Sequence, residues 1–226
     1  MKAIVRGSLA LSLVGLLAAS GCASSGLGSF GAEMGKKSNP MGGYNRVPYT
    51  SVINYFGYVK PGEAPDATVE GKKFFYLYVW IPAVAPEIGV RMASPVGDLA
   101  KPNPEGKDFI AKGYDEGAKD MSKFFDTYLT FERALTILNP EDIEKNWEST
   151  DWIKYAYNDD SSEMPKNPRG SRYNSLLRVE TSTDDPTKAL VRGLYRIGFT
   201  TFKRGEVEGT FIAQVGAPID LPGVVI

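Results

Sequence analysis

Apolar and polar residues alternate over long stretches of this chain, a pattern typical of β-strands. Residues 51–59 and 72–82 are dense in β-branched and aromatic residues, and the turn-rich segment PGEAPDATVEG lies between them. In 72–82 both faces are apolar, so we expect a central strand with cover on both sides. One face carries Phe75, Leu77, Val79 and Ile81, and the other carries Phe74, Tyr76, Tyr78 and Trp80.

The middle of the chain combines weaker strand patterns with one helix signal. We expect strands at 87–94 and 152–157, and another over 124–137, where the alternation does not exclude a helix. Asn139-Pro140-Glu141-Asp142 predicts a helix running to about Ser149, with Asn139 as its N-cap and acidic residues in its first turn. The apolar residues at odd positions of 124–137 are Phe125, Leu129, Phe131, Leu135 and Ile137.

The last third of the chain carries the clearest alternation, in the runs LVRGLYRIGFTTF and EVEGTFIAQV. Lys203-Arg204-Gly205 between these runs predicts a hairpin turn that would pair them. Many alternating strands, few helices and frequent Gly/Pro turns indicate a mostly β fold: a single-domain sandwich with inserted helical segments.

The first residues have the order of parts of a secretory signal. Lys2 and Arg6 precede an apolar run from Leu9 to Ala19, and Ala19-Ser20-Gly21-Cys22 follows. This end resembles the bacterial lipobox, although leucine is commoner than alanine at the position of Ala19. We expect cleavage after residue 21 and lipidation of Cys22 with palmitate or a similar acyl chain. The alternative is an ordinary cleaved signal with an incidental cysteine.

The resulting division is a signal peptide at 1–21, a lipidated tether at 22–47 and a β-sandwich domain at 48–226. The tether is rich in Gly and Ser without a periodic apolar pattern. As a flexible chain of about 25 residues it would reach roughly 25–30 Å. Ala23 after the cysteine, instead of aspartate, resembles the signal for transfer to the outer membrane.

Composition narrows the classes of function. The chain has no histidine, which excludes Ser-His-Asp and Cys-His catalysis and the histidine ligands usual in catalytic zinc sites. With a single cysteine no internal disulfide can form. Loss of Lys2 and Arg6 would leave 24 of the 26 basic residues against 27 acidic ones, a balance that gives no basic footprint for nucleic acid.

Six runs occur in an order shared with a known family: SVINYFGYVKPGEAPD, YLYVWIPAV, GVRMASPVG, FFDTYLTFER, RYNSLLRVE and LVRGLYRIGFTTFKRGEVEGTF. Together they resemble the major surface lipoprotein family of Leptospira and its homologues in marine bacteria. The resemblance implies a jelly-roll β-sandwich with a few peripheral helices, anchored in the outer membrane through the acylated cysteine and exposed at the cell surface. It also implies a calcium site and no enzymatic activity.

The same resemblance implies an interaction or adhesion role, with extracellular-matrix proteins or other surface proteins as partners. Two differences bear on this role. The leptospiral protein has a longer, charged, helical C-terminus, whereas this chain stops at Val224-Val225-Ile226, and a polyaspartate run is reduced here to Asn158-Asp159-Asp160. The oligomeric state is left open, with a homodimer as one alternative.

Calcium takes six to eight oxygen ligands from carboxylates, carbonyls and water. By the resemblance, three carboxylates with a combined charge of −3 would face the ion, joined by hydroxyl or carbonyl oxygens. By composition alone Asp184-Asp185 is an equally suitable acidic pair, and a solvated loop is the alternative for any such pair. The residues that match the family's ligands are Asp126, Thr127, Asp159, Asp160 and Tyr173.

Two other classes of function stay open from the residues. A periplasm-facing carbohydrate-binding module or carboxylate-based glycan-active enzyme could use Tyr76, Tyr78 and Trp80 as a sugar platform, although core packing also explains such rings. Glu87 and Glu132 would then be its carboxylates. A purely structural envelope protein is the third class. On the last strands we expect Arg192 and Arg196 to lie on a solvated face, with contact to an acidic partner as the alternative.

Overall fold

The computed structural model describes Leu27, 36–38, 44–46, Tyr49, 51–106, 108–170, 174–182, 184–203 and 205–218. The predicted signal peptide, Cys22 and Tyr173 lie outside these residues. The strands are β1 (Lys36–Ser38), β2 (Tyr44–Arg46), β3 (Ser51–Val59), β4 (Ala67–Val69), β5 (Lys72–Ile81), β6 (Glu87–Ala93), β7 (Phe109–Ile110), β8 (Thr127–Ala134), β9 (Trp152–Asn158), β10 (Ser175–Glu180), β11 (Gly193–Thr201) and β12 (Gly209–Ala217). The α-helices are α1 (Tyr114–Gly117) and α2 (Asp142–Asn146).

Two five-stranded sheets form the body of the molecule. The front sheet has the order β10-β6-β12-β3-β7, and the back sheet has the order β4-β5-β11-β8-β9. All their pairings are antiparallel except that of β3 with the two-residue β7. Among the described strands, β1 and β2 pair with each other and with no third strand, within the segment expected to be the tether.

The eight long strands are wound as a jelly roll. The first of them pairs with the last, and the pairing then proceeds inward: β3 with β12, β5 with β11, β6 with β10 and β8 with β9. This nested pairing describes one long hairpin, with its turn between β8 and β9, that is wrapped into two facing sheets. The predicted fold class, a jelly-roll β-sandwich with few helices in a single domain, is confirmed.

The core lies between the sheets and is built from the inward positions of each strand. On β5, Leu77, Val79 and Ile81 are buried there, as the alternation predicts. An aromatic cluster fills one region: the Phe199 ring lies 4.7 Å from that of Phe211 between ring centres. Burial of each large apolar side chain contributes roughly 1.5–3 kcal/mol, so this layer supplies most of the stabilisation.

The predicted hairpin at Lys203-Arg204-Gly205 is wrong. β11 belongs to the back sheet and β12 to the front sheet, so the chain crosses between sheets from Thr201 to Gly209. Alternation reports which face of a strand is buried but carries no information on which strand is its partner.

The expected central position of 72–82 is also corrected. β11 occupies the centre of the back sheet, and β5 lies beside the edge, with only the three-residue β4 outside it. The aromatic outer face of β5 is half-buried by side chains from α2 and from β11 instead of by another sheet.

Two local predictions differ from the structure around residue 139. The strand ends at Ala134, and Leu135, expected to face the core, is 45% exposed. The helix is limited to α2, which ends at Asn146 instead of near Ser149, and Asn139 does not cap it. The carboxylate of Asp142 instead accepts hydrogen bonds from the backbone N–H groups of Asn139 (2.9 Å) and Leu138 (3.1 Å), which lowers its pKa.

The outer face of the front sheet is covered by a second apolar cluster. Its members are Leu27, Tyr49, Phe56, Ala93, Val96, Tyr114, Met164, Leu176 and Ile212. Because these include residues from before β3, part of the predicted tether segment packs on the sandwich. Among the described helices, none has the length and apolar character needed to cross a bilayer.

Candidate functional site

The residues that the sequence proposes as calcium ligands come from two neighbouring segments. Asp126 and Thr127 stand at the start of β8, and Asp159 and Asp160 follow the end of β9. β8 and β9 are antiparallel, with Leu129 opposite Asn158, so the start of one strand lies beside the end of the other. Hairpin geometry therefore brings the two pairs of residues to one end of the sandwich.

Ser175, the first residue of β10, connects these segments. Its backbone N–H donates to the Thr127 hydroxyl oxygen over 2.8 Å. Its own hydroxyl donates to the backbone carbonyl of Asp159 over 2.9 Å and also contacts the carbonyl of Thr127. One serine side chain thus bridges Thr127 and Asp159, which are far apart in the sequence.

The polar groups of this site differ in exposure. Thr127 and Ser175 are fully buried, while Asp126, Asp159 and Asp160 are half-buried and retain access to water. Within the described ranges, no three acidic or cysteine side chains are gathered tightly enough to form a metal cluster. The structure therefore brings the two candidate pairs together through the backbone and Ser175, without a ready-made ring of carboxylates.

The donor set suits calcium by its chemistry. The candidate ligands themselves offer only oxygens, and calcium accepts carbonyl and hydroxyl oxygens as well as carboxylates. Arg169 and Lys203 line the same pocket as Asp126. The carbonyls of Thr127 and Asp159 converge on the Ser175 hydroxyl, and Asp126 and Asp160 are their direct chain neighbours. Tyr173 lies outside the described residues but precedes Ser175 by only two positions. By donor chemistry alone, these residues are compatible with calcium.

The competing acidic pair, Asp184-Asp185, has a local structural role. The Asp185 carboxylate accepts hydrogen bonds from the backbone N–H (3.0 Å) and the hydroxyl (2.6 Å) of Thr187. These bonds cap a short 3₁₀ turn at Pro186–Lys188 and lower the pKa of Asp185. Turn capping accounts for an aspartate here without a metal ion.

The two glutamates considered as glycosidase carboxylates lie on opposite sides of the molecule. Glu87 is on the outer face of the front sheet and accepts a 2.5 Å hydrogen bond from the Tyr49 hydroxyl. Glu132 is on the outer face of the back sheet, bonded to Arg196. Packed sheets are themselves about 10 Å apart, which exceeds the separation of a retaining pair and leaves both carboxylates facing away from each other. They do not form a catalytic pair.

The aromatic outer face of the back sheet is also largely occupied. The Arg196 guanidinium carbon lies 4.1 Å from the Tyr76 ring centre and 4.2 Å from that of Trp152. Trp147 of the α2 segment packs edge-on against Tyr78 at 4.7 Å. The prediction that Arg196 lies on a solvated face is wrong, because this side chain is only 18% exposed.

Ser175 was not singled out by sequence reasoning, although it stands within the quoted run RYNSLLRVE. A buried serine is recognised as a connector only once its partners are known. We expect Ser175→Ala to lower the free energy of unfolding by about 1–3 kcal/mol, because it leaves buried polar groups without a partner. Chemical denaturation measures this loss. Ser149→Ala, at an exposed serine, is the matched control and should change stability by less than about 0.5 kcal/mol.

The sequence of the chain matches the model of a known protein family. The model of the family described as "Lipl32: Surface lipoprotein of Spirochaetales order" matches residues 44–226. The match begins at β2 and covers both sheets and every residue of the candidate site. A search of curated proteins finds no match to the chain.

Proposed function

Since the chain belongs to the Lipl32 family of surface lipoproteins, we propose that it is a non-catalytic interaction protein whose sandwich binds calcium. The protein is lipid-anchored at the cell surface, and in this proposal the acyl chains are carried by Cys22. The ligands are Asp126, Thr127, Asp159, Asp160 and Tyr173. The observation that supports the site most is the bridge from Ser175 to both Thr127 and Asp159.

The ion would stabilise the start of β8 against the segment that follows β9. Asp126, Asp159 and Asp160 would supply the negative charge that a divalent cation requires. Thr127 supplies oxygen from a buried strand end, so the ion is held against a rigid part of the sandwich. Calcium contributes charge neutralisation and a link between segments, and the chain's residues position the oxygens.

The proposal that the protein has no catalytic activity is supported by the bonds that already occupy the carboxylates of Glu87 and Glu132. Glu87 is hydrogen-bonded to Tyr49, and Glu132 is paired with Arg196 on the other side of the sandwich. The lack of histidine removes the commonest general base. We therefore assign the exposed surface a binding role, with extracellular-matrix proteins or other surface proteins as partners and a homodimer as an alternative partner.

Calcium should raise the melting temperature of the soluble domain, residues 48–226. A ligand that binds only the native state at a hundredfold excess over its Kd adds about 2.7 kcal/mol of stability. For a domain of this size that corresponds to a rise of about 5–10 °C. Differential scanning calorimetry with and without millimolar calcium measures the rise.

The matched variants are two pairs of neutralised aspartates. Asp159→Asn with Asp160→Asn should abolish most of the calcium-dependent rise, whereas Asp184→Asn with Asp185→Asn should retain it. Each double variant removes two charges, so a general charge effect would alter both equally. A wild-type domain whose melting temperature does not respond to calcium would remove the calcium site from the proposal.

A further inference from the structure

The chain that precedes β3 is held on the outer face of the front sheet at two described points. Leu27 is 5% exposed, and its backbone N–H donates to the carbonyl of Leu99 over 3.3 Å. Tyr49 is buried as well, and its hydroxyl is bonded to Glu87 of β6. Leu27 belongs to a segment expected from composition to be a free tether, so its burial needs a physical explanation.

A buried arginine provides the docking point for Leu27. The Nη1 group of Arg91 on β6 donates to the Leu27 carbonyl over 3.1 Å. Burial lowers the Arg91 pKa to about 10, which leaves the group charged at neutral pH. A hydrogen bond from a charged donor is roughly twice as strong as a neutral one, and Leu27 adds apolar burial to it.

Arg91 is itself fixed by a polar network across the front sheet. Its Nε donates to the side chain of Gln214 on β12 over 2.5 Å, and Gln214 donates to Asn54 on β3 over 2.6 Å. Asn54 in turn donates to Asp108 over 2.7 Å. The Leu27 carbonyl is therefore bonded to a side chain that is positioned by three strands, and the docking point is rigid.

The distance from this docking point to the lipid is short. Leu27 follows Cys22 by five residues, which span at most about 17–18 Å when fully extended. A domain of about 180 residues has a radius of gyration of about 16 Å and a diameter near 40 Å. The chain between Cys22 and Leu27 reaches less than half of the domain's diameter. It is therefore too short to let the opposite side of the domain face the membrane.

We propose that the β6–β7 loop side of the front sheet, around Leu99, lies against the lipid surface. The proposal rests on the proposed acylation of Cys22. The back sheet, with its Tyr76 and Arg196 face, then points away from the membrane, where a partner can reach it. A tether that was flexible from residue 23 to residue 47 would not fix the orientation of the domain on the membrane.

The surface beside the docking point suits a lipid interface. A cavity of about 360 Å³ opens there and includes Val96, Leu99 and Met121 among its lining residues. Met121 is 38% exposed, and Lys101, on the β6–β7 loop with Leu99, is exposed. The lining also includes the charged residues Asp98 and Lys166. Apolar side chains flanked by charged ones, lysines among them, are compatible with contact to the interfacial region of a bilayer.

Fluorophores on two matched lysine positions test this orientation. Lys101 lies two residues after Leu99, and Lys154 is exposed on β9, opposite the outward-facing Glu132 of the back sheet. The full-length, acylated variants Lys101→Cys and Lys154→Cys are labelled, placed in phosphatidylcholine vesicles and quenched by an acceptor on the lipid headgroup. The proposal predicts several-fold stronger quenching at 101 than at 154.

Two further variants separate docking from tether length. Twenty Gly/Ser residues inserted between Ser24 and Ser25 add a reach of about 22–27 Å without touching the fold, and should bring the two quenching values together. Leu27→Asp should do the same by undocking the segment, with an unchanged circular dichroism spectrum as the folding check.

Each outcome decides one claim. Equal quenching at 101 and 154 in vesicle-bound, otherwise wild-type protein overturns the orientation while leaving the anchor intact. Stronger quenching at 101 that persists after the insertion overturns the claim that the short reach from Cys22 to Leu27 fixes the orientation. Protein that fails to bind vesicles and carries no acyl group overturns the proposed anchor, and the orientation is overturned with it.

Discussion

Replacement of Phe199 by alanine is expected to lower the free energy of unfolding by about 3–5 kcal/mol, the usual cost of an aromatic deletion in a core. Phe199 is 2% exposed, and its ring contacts those of Phe75, Phe125 and Phe211 at centre distances of 5.7, 5.9 and 4.7 Å. Phe75 and Phe199 lie on β5 and β11 of the back sheet, and Phe125 lies just before β8 of the same sheet. Phe211 lies on β12 of the front sheet. The cavity left by the deletion would therefore weaken the contact between the sheets.

Urea denaturation of the soluble domain measures this effect. The matched control is Tyr157→Ala on the outer face of β9, where the residue is 66% exposed and its ring stacks on that of Tyr128 at 6.1 Å. An exposed cross-strand pair contributes less than about 1 kcal/mol. Equal losses from Phe199→Ala and Tyr157→Ala would contradict the assignment of Phe199 to the core.

Removal of Glu132 should produce the second large effect. Its carboxylate accepts hydrogen bonds from Arg196 Nε (2.8 Å) and Nη2 (2.6 Å), and the guanidinium lies between the rings of Tyr76 and Trp152. Loss of one partner from a buried ion pair costs about 3–5 kcal/mol. Because the Glu132 and Arg196 side chains keep 9% and 18% exposure, we expect about 2–4 kcal/mol for Glu132→Ala.

The control for this variant is an exposed ion pair of similar length. Lys73 and Glu206 are 2.7 Å apart, but their side chains are 39% and 57% exposed. Glu206→Ala should change the free energy of unfolding by less than about 1 kcal/mol, since water screens such pairs. If thermal denaturation showed the two variants to be equally stable, Arg196 would have to be solvated, contrary to its position between two rings.

The strands themselves could be predicted well from the sequence. Strong alternation located β3 at its observed bounds and β5 to within one residue, because burial on one or both faces leaves a direct record in residue type. The partners of β11 and β12 could not be predicted locally. In a jelly roll the pairs are nested, so β12 pairs with β3 at the other end of the chain.

The candidate site depended on resemblance for its residues and on structure for its connection. Asp126-Thr127 and Asp159-Asp160 follow from the family pattern, but acidic pairs as such are common, and Asp184-Asp185 shows how one can serve a turn. The role of Ser175 required knowledge that the starts of β8 and β10 lie beside the end of β9. A serine carries no pattern that distinguishes a buried bridge from a solvated hydroxyl.

The buried position of Leu27 could not be predicted from composition. A Gly/Ser-rich segment with one leucine has too few apolar residues for a periodic pattern, so its composition predicts a tether. Hydrogen bonds to Arg91 and Leu99 nevertheless hold Leu27 on the sheet, and Arg91 is buried, charged and fixed by its own network.

Metabolic labelling with a palmitate analogue tests the central claim most directly. Cys22 is the only cysteine of the chain, so the wild type should incorporate the label and partition into detergent, while Cys22→Ala should incorporate none and remain in the aqueous phase. A wild-type protein that carries no label, or a Cys22→Ala variant that partitions unchanged, would contradict anchoring through this residue.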